Sequence, residues 1–159
     1  MKIRSSALGF TLMELILVIV LLSILSLFAA SRFMDSSSFS AYTLQERVIS
    51  VIRQVQVNRM QSNVASPDNN FRLQVSSSCV GSVAACELTG SAQDARSDVV
   101  IDKSAKFSVI SGAANTINFN LLGNPVSGAV NILIEDKHGR SRCQVEINSQ
   151  GYVSKGTCS

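Results

Sequence analysis

The sequence predicts an α+β fold, a long N-terminal helix followed by an antiparallel β-sheet. Three observations predict it. The chain has 159 residues, 46% hydrophobic and 16% charged, with mean hydropathy +0.26, and its apolar excess is concentrated near the N-terminus, with no charge from Leu15 to Ser31. From Phe39 the apolar residues recur at helical spacing, three and four apart. Beyond Pro67 short β-branched or alternating stretches are separated by glycine-containing turns. This composition excludes a disordered chain and a polycation, and a net charge of +3 gives no reason by itself to invoke nucleic acid.

Lys2 and Arg4 precede the apolar run and Arg32 ends it. About 20 residues rising 1.5 Å each cover a ~30 Å bilayer core, so the run is expected to be a transmembrane helix, its N-terminus cytoplasmic because of the preceding cations. A removable signal peptide is the alternative, with Ala29-Ala30-Ser31 as small residues for cleavage; the length of the run and the early Glu14 favour a retained helix. Glu14 is costly in a span and calls for a cation. Residues 15–31 contain none, so the partner is expected from another chain or from a newly made amino terminus.

Ala41, Leu44, Val48, Val51, Ile52 and Val55 line one face of the next helical stretch. Gln45, Arg53, Gln56 and Arg59 are expected mostly on the other face, and Arg32, Arg47, Arg53 and Arg59 are expected to be solvated. Asn63, Ser66 and Pro67-Asp68 end the helix. A continuous helix over residues 11–62 would be about 78 Å long. If it breaks near residues 34–39, Asp35 or a serine after it would cap a second helix.

Strands are expected at residues 71–75, 99–101, 106–110, 116–121, 129–135, 142–148 and 152–155. The last three are the clearest. Ile132 and Ile134 alternate with polar neighbours, Cys143, Val145 and Ile147 share a face, and Ser149-Gln150-Gly151 makes a tight turn. Four cysteines in a translocated domain read as two disulfides, and three connectivities are possible. Cys79 with Cys86 closes a small loop, and the terminal hairpin brings Cys158 within a residue or two of the position opposite Cys143, depending on turn register, so that pairing is favoured. A C-x6-C spacing with one distant histidine does not make a zinc set, and adjacent Glu135-Asp136 does not make a calcium site. No metal or other cofactor is expected.

Gly9-Phe10-Thr11-Leu12-Met13-Glu14, behind a short basic leader and ahead of the apolar run, resembles the processing signal of type IV pilins and type II secretion pseudopilins. The resemblance implies cleavage between Gly9 and Phe10 by a prepilin peptidase, N-methylation of Phe10, and a contact between Glu14 and the Phe10 ammonium of a neighbouring subunit during assembly. Such a buried pair serves register better than raw stability. Many family members carry proline where this chain has Ser31, so the usual bend there is in doubt. The C-terminal third is similar to GspH/FimT-like minor pilins in Ile117-Asn118-Phe119, Gly123, Val130–Ile134, Ile147-Asn148 and Gly151-Tyr152-Val153. The Arg32-Phe33 junction and residues 44–56 resemble minor pilins of mannose-sensitive haemagglutinin pili.

The expected organisation is therefore a leader at 1–9, a transmembrane and filament-core helix at 10–31, an amphipathic half at 32–66 and a disulfide-bonded, β-rich head at 67–159. The resemblance implies a β-sandwich-like head and single-pass placement in the inner membrane, head periplasmic, before passage into a pilus or pseudopilus. The implied partners are other pilin or pseudopilin subunits, the prepilin peptidase and the inner-membrane assembly platform. The function expected is a minor, non-enzymatic subunit in pilus assembly or adhesion, or alternatively a minor pseudopilin of type II secretion. A DNA-binding minor pilin is the other alternative. Gly139, Arg140 and Arg142 match the G-R-x-R element of DNA-binding relatives, and such arginines would contact phosphates, although Glu135 and Asp136 weaken the local field. The lone His138 has no catalytic partners in sequence, and no phosphate loop or acid–base motif is present, so no enzyme is expected.

Overall fold

The structure, a computed structural model, describes residues 11–33, 40–112, 114–139 and 141–159; the side chains of residues 27–33 and of Ser40 lie outside that description. The chain divides into two compact units, Met1–Ser36 and Ser37–Ser159.

The first unit contains helix α1 (Leu12–Phe33). Leucine, isoleucine and valine fill it, and Ser23 and Ser26 satisfy their hydroxyls within the helix by donating to the Ile19 and Leu22 carbonyls, each at 2.7 Å. The second unit opens with helix α2 (Ser40–Gln61), which has neither glycine nor proline to interrupt it. The described residues thus hold two helices, Leu12–Phe33 and Ser40–Gln61, in place of the expected single long N-terminal helix, and residues 34–39 between them lie outside the description. Among the described residues no helix is long and apolar enough to cross a membrane. The expected transmembrane half, and the single-pass inner-membrane placement built on it, are corrected accordingly. The capping roles expected of Asp35 and the serines after it fall outside the described residues.

After α2 come β1 (Arg72–Val75), β2 (Cys79–Ser82), short helices α3 (Val83–Cys86) and α4 (Ser91–Asp94), β3 (Val99–Ile101), β4 (Ala105–Ser111), β5 (Thr116–Asn118), β6 (Val130–Asp136), β7 (Arg142–Ile147) and β8 (Val153–Cys158). They form two four-stranded antiparallel sheets, ordered β3-β2-β1-β5 and β4-β6-β7-β8. The segment 79–86, read from the sequence only as a cysteine loop, is a strand and a helical turn. Ser82 caps that turn by accepting from the Ala85 N–H at 3.1 Å. The strand expected to reach residue 121 stops at Asn118. Asn120 Oδ1 there accepts from the Leu122 and Asn124 N–H groups and turns the chain.

One core joins α2 to both sheets. Ala41, Leu44, Val48, Val51, Ile52 and Val55 are all buried, against Leu73, Val80, Val100 and Ile117 of the first sheet and Phe107, Ile132, Ile134, Val145 and Ile147 of the second. Burying each of the larger side chains contributes about 1.5–3 kcal/mol. The period-2 burial of β6 explains the choice of face, with Val130, Ile132, Ile134 and Asp136 turned inward. Disulfides join Cys79 to Cys86 and Cys143 to Cys158, the second across directly paired positions of β7 and β8.

Candidate functional site

Three groups of side chains carry chemistry, and local sequence explains each. The first is at the start of α1. Thr11 Oγ1 accepts from the Glu14 N–H at 3.3 Å, placing the threonine as N-cap and the glutamate in the first turn. This is the Thr-x-x-Glu capping pattern. An acidic residue in the first turn interacts favourably with the N-terminal end of the helix dipole. Glu14 therefore has a local stabilising role besides any partner cation, and its signal, Thr11 three residues earlier, stands in the sequence. Glu14 is exposed, and so are Leu12, Met13, Leu15, Ile16, Leu17 and the large residues after them as far as Leu25, at 44–78%. Gly9 and Phe10, the expected processing and methylation positions, lie outside the described residues.

The second is the β6–β7 turn. Gly139 takes φ +67, a left-handed conformation that favours glycine, and donates its N–H to the Asp136 carbonyl at 2.8 Å. Arg142 Nη2 meets Glu135 Oε1 at 2.8 Å, a cross-strand ion pair at directly paired positions. Arg140 lies outside the described residues. The turn therefore presents no arginine pair among the described residues, and its one described arginine is already neutralised by a carboxylate. Glu135 and Asp136 alternate to opposite faces of the strand and do not act together. Asp136 is buried instead, its carboxylate oxygens and the Ser141 hydroxyl unpaired among the described residues.

The third group is polar and comes from α2, where solvation was expected. Gln45, Gln56 and Arg59 are buried. Gln45 Nε2 donates to the Gln144 carbonyl at 2.7 Å, and Gln56 Nε2 donates to the carbonyls of Gly123 at 2.9 Å and Gly151 at 2.8 Å. Arg59 donates through Nε to the Phe119 carbonyl at 3.1 Å and through Nη1 to Ser62 Oγ and the Val64 carbonyl. Gln45 fastens strand β7 to the helix, and Gln56 and Arg59 fasten the loops that flank the sheets to it. The expected all-solvated arginine face is corrected at Arg59. Arg47 and Arg53 are exposed, with Arg53 donating to the Val153 carbonyl at 2.9 Å. The signal was the register itself, since Arg59 follows Val55 by four and Gln56 follows Ile52 by four, which places both on the buried stripe. The first sheet is fastened by Arg96, which embraces Asp98 with contacts of 2.8 and 2.7 Å.

Comparisons of the chain with family models, curated proteins and solved structures find no match.

Proposed function

We propose that this chain is a non-enzymatic structural subunit of a type IV pilin-like filament, a minor pilin or pseudopilin, and that subunits pack through α1. The observation that carries the reading is the exposed surface of α1. Its large side chains from Leu12 to Leu25 are all 44–78% exposed, and Glu14 is the one ionisable side chain among residues 12–26. An exposed apolar surface of that extent marks association with another apolar surface. The residues around Gly9-Phe10 resemble the pilin processing signal. That resemblance supports a role for Glu14 at a neighbouring subunit's Phe10 amine, a use compatible with its place in the first helical turn.

The test is incorporation. A tagged chain, expressed beside its filament partners, is expected in the sheared filament fraction, beginning at N-methylated Phe10 by mass spectrometry. Glu14→Val is expected to lower that fraction at least ~10-fold, because stranding one member of a buried charge pair costs about 3–5 kcal/mol. Undiminished recovery of Glu14→Val, or a filament-borne chain still beginning at Met1, would refute the proposal.

A further inference from the structure

A recess of about 420 Å³ opens where the end of α2 meets the edge of the first sheet, lined by Arg59, Arg72, Asn118, Asn120, Pro67 and Val126 among others. Its volume is that of a small-molecule site. Two guanidinium groups line it, and none of the three ion pairs among the described residues includes either. Arg59 is 4% exposed and spends its hydrogens on carbonyls and a hydroxyl. Those groups supply partial negative charge, less than a full counter-charge for a buried cation. Arg72 donates only its Nε, to Asn118 Oδ1 at 2.9 Å, so both Nη nitrogens keep their hydrogens unspent among the described residues. Asp68 is the acid nearest in sequence. It does not line the recess, is exposed, and accepts from the Asn70 N–H at 2.8 Å.

We infer that this recess binds a small polar carboxylate of about the size of a uronic acid, with Arg72 as the direct contact and Arg59 as the fixed positive charge behind it. The free Nη pair of Arg72 offers the two parallel donors that a planar carboxylate accepts. Asn120 uses its Oδ1 within its own turn, which leaves its amide hydrogens for ligand hydroxyls. Pro67 and Val126 give apolar wall, and a concave site of this size admits a sugar acid more readily than a duplex backbone. The proposal stands independently of the filament reading, since every residue belongs to the second unit.

Calorimetry on the full chain at low salt tests it, with D-glucuronate, D-glucose, inorganic phosphate and a short DNA duplex as probes. Glucuronate is expected to bind and glucose to bind at least ~10-fold more weakly, the loss expected of one charge-assisted contact. Arg72→Gln is expected to weaken glucuronate at least ~10-fold at unchanged melting temperature, and Arg72→Lys to fall between, because an ammonium cannot form the parallel pair. Equal binding of glucose and glucuronate, or wild-type affinity in Arg72→Gln, would overturn the site. Binding of phosphate or duplex without glucuronate would overturn the carboxylate assignment.

Discussion

Arg96→Ala is expected to destabilise the second unit more than Asp98→Ala, although both break the same ion pair. The asymmetry follows from burial. The Asp98 side chain is 7% exposed and that of Arg96 33%. Arg96 holds the carboxylate through Nε–Oδ1 at 2.8 Å and Nη2–Oδ2 at 2.7 Å, with Nη2 also 3.2 Å from Ser82 Oγ. Without Arg96 a nearly dry carboxylate keeps the Ser82 hydroxyl and its own backbone N–H but no cation, a loss of about 2–4 kcal/mol, reduced from a fully buried pair because Arg96 is partly screened by water. Without Asp98 the guanidinium can turn to solvent, and about 1–2 kcal/mol is lost. pH supplies the second signature. Burial pushes the Asp98 carboxyl up, but the hydrogen bonds from Arg96 and Ser82 and the charge of Arg96 outweigh it, leaving it below its ordinary 3.8. A lowered carboxyl contributes stability that is complete above the unfolded-state value and is lost as pH falls through the folded one. In Arg96→Ala burial loses its main counterweight, the Arg96 guanidinium, so protonation relieves the penalty. Urea unfolding from pH 7 to pH 3 should therefore show the deficit of Arg96→Ala shrinking as the medium becomes more acidic. A larger loss in Asp98→Ala, or a deficit independent of pH, would refute the reasoning.

Gln56→Leu keeps most of the side-chain volume but strands the buried Gly123 carbonyl and the half-buried Gly151 carbonyl, so a loss of about 1–3 kcal/mol in urea unfolding is expected, with faster amide exchange in both turns. Replacing Cys143 and Cys158 together with serine opens a loop of sequence separation 15 and should cost about 3 kcal/mol under oxidising conditions. With reductant present, that difference from the wild type should largely vanish. A gap that persists would locate the loss in packing rather than in the crosslink.

The elements legible in the sequence are those whose pattern repeats. The apolar stripe of α2 shows in Ala41, Leu44, Val48, Ile52 and Val55, and the terminal hairpin shows in the alternation around Ile132, Ile134, Cys143 and Val145; all are buried. Short elements were not legible. Strand β2 contains Gly81 and Ser82, and it forms because its neighbours β1 and β3 supply hydrogen-bond partners on both sides. Composition carries no trace of that. Polar residues on α2 were misplaced because polarity alone suggested solvent, whereas the carbonyls of Gly123, Gly151 and Phe119 come from loops more than sixty positions away, or sixty in the case of Phe119.

The sequence by itself determined the local features: where helices and strands recur, where glycine must take a left-handed turn, and the Thr11–Glu14 cap. Each depends on residues within a few positions of one another, and chain geometry alone reads them. Only the tertiary structure decided that the N-terminal helical region comprises two helices in separate units, that the strands divide between two sheets, and that Arg59 and Arg72 line one recess with no acid among the described residues lining it. Those outcomes depend on which distant backbone groups meet, and on how burial redistributes water around charges, quantities that no single stretch of chain contains.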